Sequence, residues 1–388
     1  MMQISPEIQL FIREHSSDDV RVLALQAKKY PDIDMPTVIT QIAGRKVAAE
    51  KIPSWWEIEK IWYPKHLSLE QCSSEITARY KARLLQGDSL TDLTGGFGID
   101  CSFLATGFKS ATYVERQEEL CEIAAHNFPV LNLNHINIKN EDGVTYLQAM
   151  SPVDCLFLDP ARRNEHGGKT VAISDCEPNV AELEELLLQK ANRVMIKLSP
   201  MLDLSLALKE LKQTQEVHIL SVNNECKELL ILLGQTSPAE ISIHCVNLFT
   251  KGTQKEQHFV FTREQEQCSE CTYTDSLETY LYEPNASLLK AGAFRSIAAA
   301  YPVRKLHPNS HLYTSDTFIE NFPGRIFRIV NQCSFNKKEV KENLADLKKA
   351  NVTVRNFPAT VAELRKRIHL AEGGDTYLFA STLNNGQK

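Results

Sequence analysis

Apolar and polar residues follow two different patterns along this chain, and one pattern gives way to the other near Ser89. Before that point apolar residues recur at helical spacing. The pattern predicts helices over residues 6–15, 18–30, 36–51, 55–61 and 68–85. Prolines fall between these segments, and Ser68 followed by Gln71 predicts a capping box for the last helix.

After Ser89 the chain alternates short apolar strands with helices, which predicts a parallel sheet covered on both faces. The predicted strands are 89–93, 111–115, 136–139, 153–158, 193–198, 216–222 and 229–234. The last two are too close in sequence for a helix between them, so we expect an antiparallel edge. The fold class predicted is therefore α/β, with a Rossmann-like seven-stranded sheet.

The remaining third has a less regular pattern. It predicts strand-like runs at 240–249 and 258–262, a helix over 284–300, and then a small α+β module. The elements predicted for that module are strand 325–330, helix 337–350, strand 352–357, helix 361–369 and strand 375–381. We expect four domains, at residues 1–75 (helical), 76–275 (the large sheet), 276–320 (a small piece) and 321–388 (a basic α+β module).

Composition narrows the class of protein. The 388 residues include 43% apolar ones, enough for a sizeable core, but no apolar run of the roughly 18 residues that a membrane helix needs. The first residues lack a signal-peptide pattern, and the ten cysteines lack disulfide spacing, so we expect a cytoplasmic protein. Cys268 and Cys271 have no partner pair, and we predict no metal site.

The net charge of −6 is unevenly distributed. Residues 284–388 contain 16 Lys and Arg against 8 Asp and Glu, while the rest of the chain is acidic. A basic terminal third predicts a surface for a polyanion, although lysines spaced along solvated helices would give the same count.

The first candidate for a functional site is the segment from Leu90 to Asp100. An apolar strand ending in Asp92 runs through Thr94 into three glycines, Gly95, Gly96 and Gly98, before a helical pattern. Glycines at a strand-to-helix turn let the backbone adopt positive φ and let a ligand approach closely.

Three further signals follow successive strands, at the sheet edge where open α/β folds bind ligands. Glu115 ends the second strand and is placed to accept the hydroxyls of a ribose, and Asp142 follows the third, placed to meet an adenine amino group. The fourth strand is followed by Asp159, Pro160, Ala161, Arg162 and Arg163. Each acid also has an ordinary structural use in a turn or helix cap.

Two common nucleotide sites are excluded by the glycine turn. A nicotinamide or flavin site requires Gly or Ala where this chain has Cys101, and no Gly-Lys-Ser/Thr sequence follows for a phosphate-binding loop.

The segment Asp92–Gly98, together with Glu115, Asp142 and Asp159-Pro160, resembles the motifs of class I S-adenosylmethionine-dependent methyltransferases. With Lys197-Leu198-Ser199-Pro200 and Tyr282-Glu283-Pro284-Asn285, the chain resembles the bacterial members that carry a THUMP-like C-terminal domain. The resemblance implies a catalytic domain over residues 76–275, a small ferredoxin-like piece over 276–320 and a THUMP-like module over 321–388. It also implies S-adenosylmethionine as cofactor. The cofactor-binding residues it implies are Asp92, Thr94, Gly95, Gly96, Gly98, Glu115, Asp142 and Asp159. It also implies an RNA partner, through the basic terminal module.

The reaction has three candidate forms. N-methylation of an RNA base is our main hypothesis. Asp159, followed by Pro160, accepts a hydrogen bond from the target amine. Arg162 or Arg163 stacks on the base or contacts a phosphate, and Lys197 completes the catalytic set. C5 methylation of a pyrimidine requires a cysteine nucleophile where this chain has Leu198-Ser199-Pro200. Ribose 2′-O-methylation uses a Lys-Asp-Lys-Glu set. Residues in a suitable order are Lys81, Asp159, Lys197 and Glu228.

Two hypotheses from other classes stay open at this stage. One is a non-catalytic module that binds the cofactor for structure or sensing, and the other is an adaptor in which the sheet has no chemical role.

Overall fold

The computed structural model describes residues 4–162, 172–236, 238–345 and 347–388. The chain divides into two compact units. The first contains residues 1–217 and 228–239, and the second contains residues 218–227 and 240–388. No helix in the described ranges is long and apolar enough to span a membrane.

The first unit begins with short helices. They are α1 (Pro6–Glu14), α2 (Val20–Leu25), α3 (Met35–Lys51), α4 (Pro53–Trp56), α5 (His66–Gln71) and α6 (Glu75–Ala82). The side chains of Ser5, Asp19 and Asp34 accept backbone N–H groups at the starts of the first three helices. The sequence pattern therefore located this helical region correctly.

Two of the predicted helices were wrong in extent. The helix predicted over 55–61 begins at Pro53 and ends at Trp56. The helix predicted over 68–85 is broken at residues 72–74 into α5 and α6, and α5 begins at His66 with Lys65 as its N-cap, so the Ser68 capping box was also wrong.

The strands of the large sheet and of a small side ribbon come next along the chain. They are β1 (Ser89–Asp92), β2 (Ser110–Glu115), β3 (Ile136–Asn140), β4 (Val153–Leu158), β5 (Ala161–Arg162), β6 (Cys176–Glu177), β7 (Ala191–Leu198), β8 (Thr214–Val222), β9 (Glu225–Gly234), β10 (Ser242–Leu248) and β11 (Glu256–Thr262). The intervening helices are α7 (Ile99–Ala105), α8 (Glu118–Val130), α9 (Gly143–Ala149), α10 (Val180–Lys190), α11 (Leu204–Glu210) and α12 (Arg263–Cys268).

The large sheet has nine strands in the order β11-β10-β8-β9-β7-β4-β1-β2-β3. Strands β3, β2, β1, β4 and β7 are parallel, and β9 is antiparallel to β7, which confirms the predicted parallel sheet with an antiparallel edge. The sequence predicted seven strands in it; β10 and β11 are the two that were not assigned to this sheet. Cys155–Leu158 of β4 is almost inaccessible because both faces of this central strand are covered.

The rest of the second unit is built from small sheets. Its strands are β12 (Tyr280–Pro284), β13 (Arg304–Lys305), β14 (Tyr313–Ser315), β15 (Gly324–Arg328), β16 (Asn351–Arg355) and β17 (Tyr377–Ser381). Its helices are α13 (Ala286–Ala291), α14 (Ser296–Ala300), α15 (Lys337–Asn343) and α16 (Val361–Ile368).

The terminal elements do not form the single β-α-β-α-β unit that the pattern predicted. Strand β15 pairs with β12, while β16 and β17 form a separate parallel pair. The helix predicted over 284–300 is also interrupted, because Gly292 has φ of +78° and ends α13.

Candidate functional site

The glycine turn lies directly after β1 and is held against β2. Gly96 and Gly98 have φ of +55° and +85°, so both occupy the region that glycine favours. A Cβ on Gly95 would lie 2.2 Å from the ring of Tyr113, whose hydroxyl donates to the Gly96 carbonyl over 2.5 Å. Glycine at 95 is therefore required by the close approach of β2.

Asp92 is the last residue of β1, and only one oxygen of its buried carboxylate is hydrogen-bonded. Its Oδ1 accepts the Thr94 N–H over 3.0 Å, while its Oδ2 has no hydrogen-bond partner among the described residues, although the side chain is buried. Burial raises the pKa of Asp92 well above its usual range, and the nearby carboxylates add to the effect. An orphaned buried oxygen beside an open glycine turn marks a place for a polar ligand.

Glu115 also contacts this turn. Its Oε2 accepts the Gly96 N–H over 2.9 Å, and its Oε1 accepts the Gln117 N–H over 2.8 Å. The turn that follows β1 and the acid that ends β2 are thus brought together, as the sequence predicted. Each of these two oxygens can still accept a second hydrogen bond.

Asp142 caps the next helix of the same edge. Its Oδ1 accepts the N–H groups of Val144 and Thr145, each over 3.0 Å, and its side chain is exposed. A Cβ on Gly143 would lie 2.2 Å from the Leu93 carbonyl oxygen, which shows how closely α9 starts beside the end of β1. Asp142 therefore lies near the glycine turn as well as acting as a cap.

Asp159 follows β4 and is fixed to the same turn. Its backbone N–H donates to Thr94 Oγ1 over 2.6 Å, and Pro160 after it is buried. Arg162 belongs to β5, which pairs antiparallel with β6, and lies opposite Cys176. Only the backbone of Arg162 is described. Arg163 lies outside the described residues.

Lys197 joins Asp159 to a buried polar cluster. Its Nζ lies 2.5 Å from Asp159 Oδ2, 3.3 Å from Asp100 Oδ2 and 3.1 Å from the Ser73 hydroxyl oxygen. Lys197 is buried, whereas about a third of the Asp159 side chain is exposed. The ammonium of Lys197 is therefore held behind the carboxylate that faces solvent.

Lys81 completes the cluster from α6. Its Nζ lies 2.6 Å from Glu228 Oε2, 2.9 Å from Asp100 Oδ1 and 2.7 Å from the Ser73 oxygen, and its side chain is fully buried. We call Lys81, Lys197, Asp100, Asp159, Glu228 and Ser73 the ammonium network. The order Lys81, Asp159, Lys197, Glu228 was noticed in the sequence, and the structure brings all four together.

Sequence reasoning missed Asp100 and Ser73, which connect the two lysines. The signal for Asp100 was present, because an acid two residues after the last glycine falls in the first turn of α7. Ser73 lies in a helix break that the sequence pattern did not predict.

The pKa directions follow from this geometry. Burial alone would raise the pKa of Asp100, but Lys81 and Lys197 lower it to about 2. Burial opposes the charge on Lys197, yet Asp159 and Asp100 hold the pKa of Lys197 well above its usual range. For Asp159 burial dominates over the attraction of Lys197, so the pKa of Asp159 is raised. Lys197 is therefore a cationic donor at neutral pH.

The second unit contains a histidine cluster that sequence analysis did not identify. The rings of His218 and His244 are stacked with centroids 4.3 Å apart, and His244 Nδ1 lies 3.2 Å from His258 Nε2. Imidazole nitrogens are metal ligands in many proteins, so the absence of a metal site stays a prediction.

The basic C-terminal module contains two kinds of charge. Arg325 and Arg355 both pair with the buried carboxylate of Glu283, so they hold the unit together. Lys337, Lys338 and Lys341 on α15 are exposed. These exposed lysines fit the polyanion surface that the charge distribution predicted.

Comparison with known proteins agrees with this architecture. A family model for a ferredoxin-like domain matches residues 280–323, and one for a THUMP-like domain matches residues 324–388. The crystal structure of a proposed methyltransferase from Porphyromonas gingivalis W83 is 35% identical, covers 98% of this chain and 95% of its own, and superposes with a TM-score of 0.87. No curated protein matches the sequence.

Two more distant structures cover only part of the chain. An rRNA methylase from Streptococcus thermophilus is 14% identical over 41% of this chain and 93% of its own, with a TM-score of 0.30. A proposed methyltransferase from Streptococcus mutans, in complex with S-adenosylhomocysteine, is 13% identical over 41% and 96%, also with a TM-score of 0.30.

The sheet and its edge define a class I S-adenosylmethionine-dependent methyltransferase fold. On its similarity to the Porphyromonas gingivalis protein along nearly the whole chain, this protein belongs to that family, among the bacterial members with a THUMP-like C-terminal domain.

Proposed function

We propose that this protein transfers a methyl group to RNA and that the acceptor is a ribose hydroxyl. The single observation that carries the choice of acceptor is the contact of Lys197 with Asp159, 2.5 Å long, inside the ammonium network. The RNA substrate is supported by the THUMP-like match and by the exposed lysines of α15.

The residues around the glycine turn fit the cofactor. A Cβ on Gly96 would meet only the Thr94 carbonyl oxygen, at an ordinary 3.8 Å, and the buried Asp92 Oδ2 has no hydrogen-bond partner in the described part of the chain. Glu115 and Asp142 would hold the ribose and the adenine side. S-adenosylmethionine, when bound, supplies an electrophilic methyl group and a positive charge.

The ammonium network suits a hydroxyl acceptor. A hydroxyl gains negative charge as it loses its proton, and a fixed ammonium stabilises that charge. Lys197 supplies the ammonium, because its raised pKa keeps it protonated at neutral pH. Asp159, the more exposed partner, is placed to accept the proton.

N-methylation of an RNA base is the second candidate function. About a third of the Asp159 side chain is exposed, so it can also accept a hydrogen bond from an exocyclic amine. The neighbouring Lys197 competes for the same carboxylate, since the two groups are in direct contact. This competition is the reason for placing the ribose first.

Alkaline hydrolysis of the product separates the two candidates. The protein is incubated with labelled S-adenosylmethionine and undermodified cellular RNA, with a protein fraction alongside. A methylated 2′-hydroxyl cannot attack the adjacent phosphate, so we expect the label in alkali-resistant dinucleotides. Label in mononucleotides would instead establish base methylation, and label in protein alone would overturn the RNA assignment.

A further inference from the structure

A cavity of about 800 Å³ lies in the helical part of the first unit, and none of its described lining residues belongs to the ammonium network. It is lined by α1, by α3 and by the segment from Trp56 to Tyr63. The proposed reaction assigns no role to any of its lining residues.

The charge of the cavity is strongly positive. Its described lining includes Arg13, Arg45, Lys46 and Lys60, against the single acid Glu59. The first unit as a whole has more acidic than basic residues, so this concentration of positive charge is local. Such a patch favours a phosphate-bearing ligand.

Tyr63 supplies a second, independent observation. It lines the cavity and is 1% exposed, and its hydroxyl has no hydrogen-bond partner among the described residues. Its backbone is fixed, because Gln41 accepts its N–H and donates to its carbonyl, each over 2.9 Å. A buried hydroxyl without a hydrogen-bond partner costs free energy, and a ligand that makes this hydrogen bond would remove the cost.

Trp56 gives the cavity an aromatic wall. This residue is 41% exposed, although tryptophan is usually well covered. The guanidinium of Arg45 lies 5.8 Å from its ring centre. Aromatic rings beside arginine are the surfaces on which unpaired bases stack.

The cavity is also connected to the glycine turn. The ring centres of Tyr63 and Phe97 lie 6.3 Å apart, and Phe97 stands between Gly96 and Gly98. Trp55, beside Trp56, contacts the same ring with centres 5.2 Å apart. A ligand on Tyr63 would therefore lie one side chain away from the turn.

We propose that this cavity binds a nucleotide of a single-stranded RNA segment. The phosphate contacts Arg45 and Lys60, the base stacks on Trp56, and the hydroxyl of Tyr63 makes a hydrogen bond to the ligand. This inference deepens the proposed function, and rests on it, because it names the part of the chain that holds the RNA. The combination of positive charge, an exposed indole and an orphaned hydroxyl favours a nucleotide over an acidic peptide, which offers no base.

The test measures binding of a fluorescein-labelled oligoribonucleotide of about 12 residues to the full chain without cofactor. The variant Arg45→Glu/Lys60→Glu should bind at least tenfold more weakly, and its salt slope should fall by about 1 to 2. The matched control is Lys28→Glu/Lys29→Glu, the same charge change at exposed lysines outside the cavity. We expect that control to remain within about twofold of wild type.

Two conservative variants distinguish a loss of RNA binding from a loss of folding. Tyr63→Phe removes only the hydroxyl and should weaken binding about threefold to tenfold. Trp56→Phe should remove most of the quenching of tryptophan fluorescence by RNA. Equal binding by the cavity variant and the control would overturn the proposal. So would a polyglutamate peptide that displaces the RNA with equal affinity, because the partner would then be an acidic protein.

Failure of this proposal can be distinguished from failure of the proposed activity. RNA that binds through the cavity but receives no methyl group would overturn the activity and leave the cavity assignment intact. Methyl transfer to RNA that is unaffected, in both KM and binding, by Arg45→Glu/Lys60→Glu would overturn the cavity assignment alone.

Discussion

At the scale of single residues, the proposed methyl transfer depends most on the ammonium of Lys197. We expect Lys197→Met to lower methyl transfer at least about 100-fold, because no other cation touches Asp159 in the described part of the chain. Affinity for S-adenosylhomocysteine should stay within about threefold, since Lys197 contacts none of the proposed cofactor residues other than Asp159.

The control for this change is Lys209→Met, which removes an exposed lysine from α11. Single-turnover rates with labelled donor, compared with calorimetric binding, separate the two effects. Full activity in Lys197→Met would contradict the role given to the ammonium network.

Asp100 makes a prediction about stability and pH. Its pKa is lowered from 3.8 to about 2, so it contributes stability above its unfolded pKa and loses that contribution as pH falls towards 2. The difference in unfolding free energy between wild type and Asp100→Asn should shrink by about 2 kcal/mol between about pH 5 and about pH 2. Urea unfolding at several pH values measures it, and a constant difference would show that Asp100 is not ion-paired.

At the scale of elements, the glycine turn is constrained by β2. Gly95→Ala places a Cβ 2.2 Å from the Tyr113 ring, so either the ring or the turn must move. We expect a loss of about 2 kcal/mol or more of stability, together with weaker binding of S-adenosylhomocysteine. Thermal unfolding and calorimetry measure the two effects.

Gly107→Ala is the matched control, because the nearest atom to its Cβ would be at an ordinary 3.7 Å. Its stability should lie within about 0.5 kcal/mol of wild type. Comparable losses from Gly95→Ala and Gly107→Ala would mean that the approach of Tyr113 is not what requires glycine at position 95.

Elements were predictable from sequence where local patterns decide them. Cys155–Leu158 was identified as a buried strand because a continuous apolar run is typical of a central parallel strand. Glu115 and Asp159 were placed at one edge of the sheet because parallel strands end on the same side.

Elements were not predictable where distant contacts decide them. The break between α5 and α6 lets the Ser73 hydroxyl donate a hydrogen bond to Asp100, 27 positions away, and accept one from Lys81. The segment after Trp56 leaves the helical path and places Ile61 and Tyr63 in the same core cluster as Trp55 and Phe97. No helical periodicity contains that information.

At the scale of the whole molecule, the basic terminal third is expected to contribute to RNA affinity. Lys337→Glu/Lys341→Glu reverses two exposed charges on α15 and should weaken binding of RNA about fivefold or more, with a shallower salt dependence. Fluorescence anisotropy at several salt concentrations measures both.

The matched control is Lys251→Glu/Lys255→Glu, two exposed lysines in a loop of the same unit. An unchanged salt slope in the α15 variant, or an equal loss in the loop variant, would exclude α15 as the RNA surface. The prediction is independent of Arg325 and Arg355, because Glu283 already engages both.

Binding of S-adenosylhomocysteine is the most direct test of the central claim, that turns after neighbouring strands form one cofactor site. Calorimetry should show one site per chain in wild type, binding at least tenfold weaker in Glu115→Ala, and binding within about threefold of wild type in Asp159→Ala, which loses methyl transfer. Absence of binding in folded wild type, or equal affinity and full activity in both variants, would contradict the account.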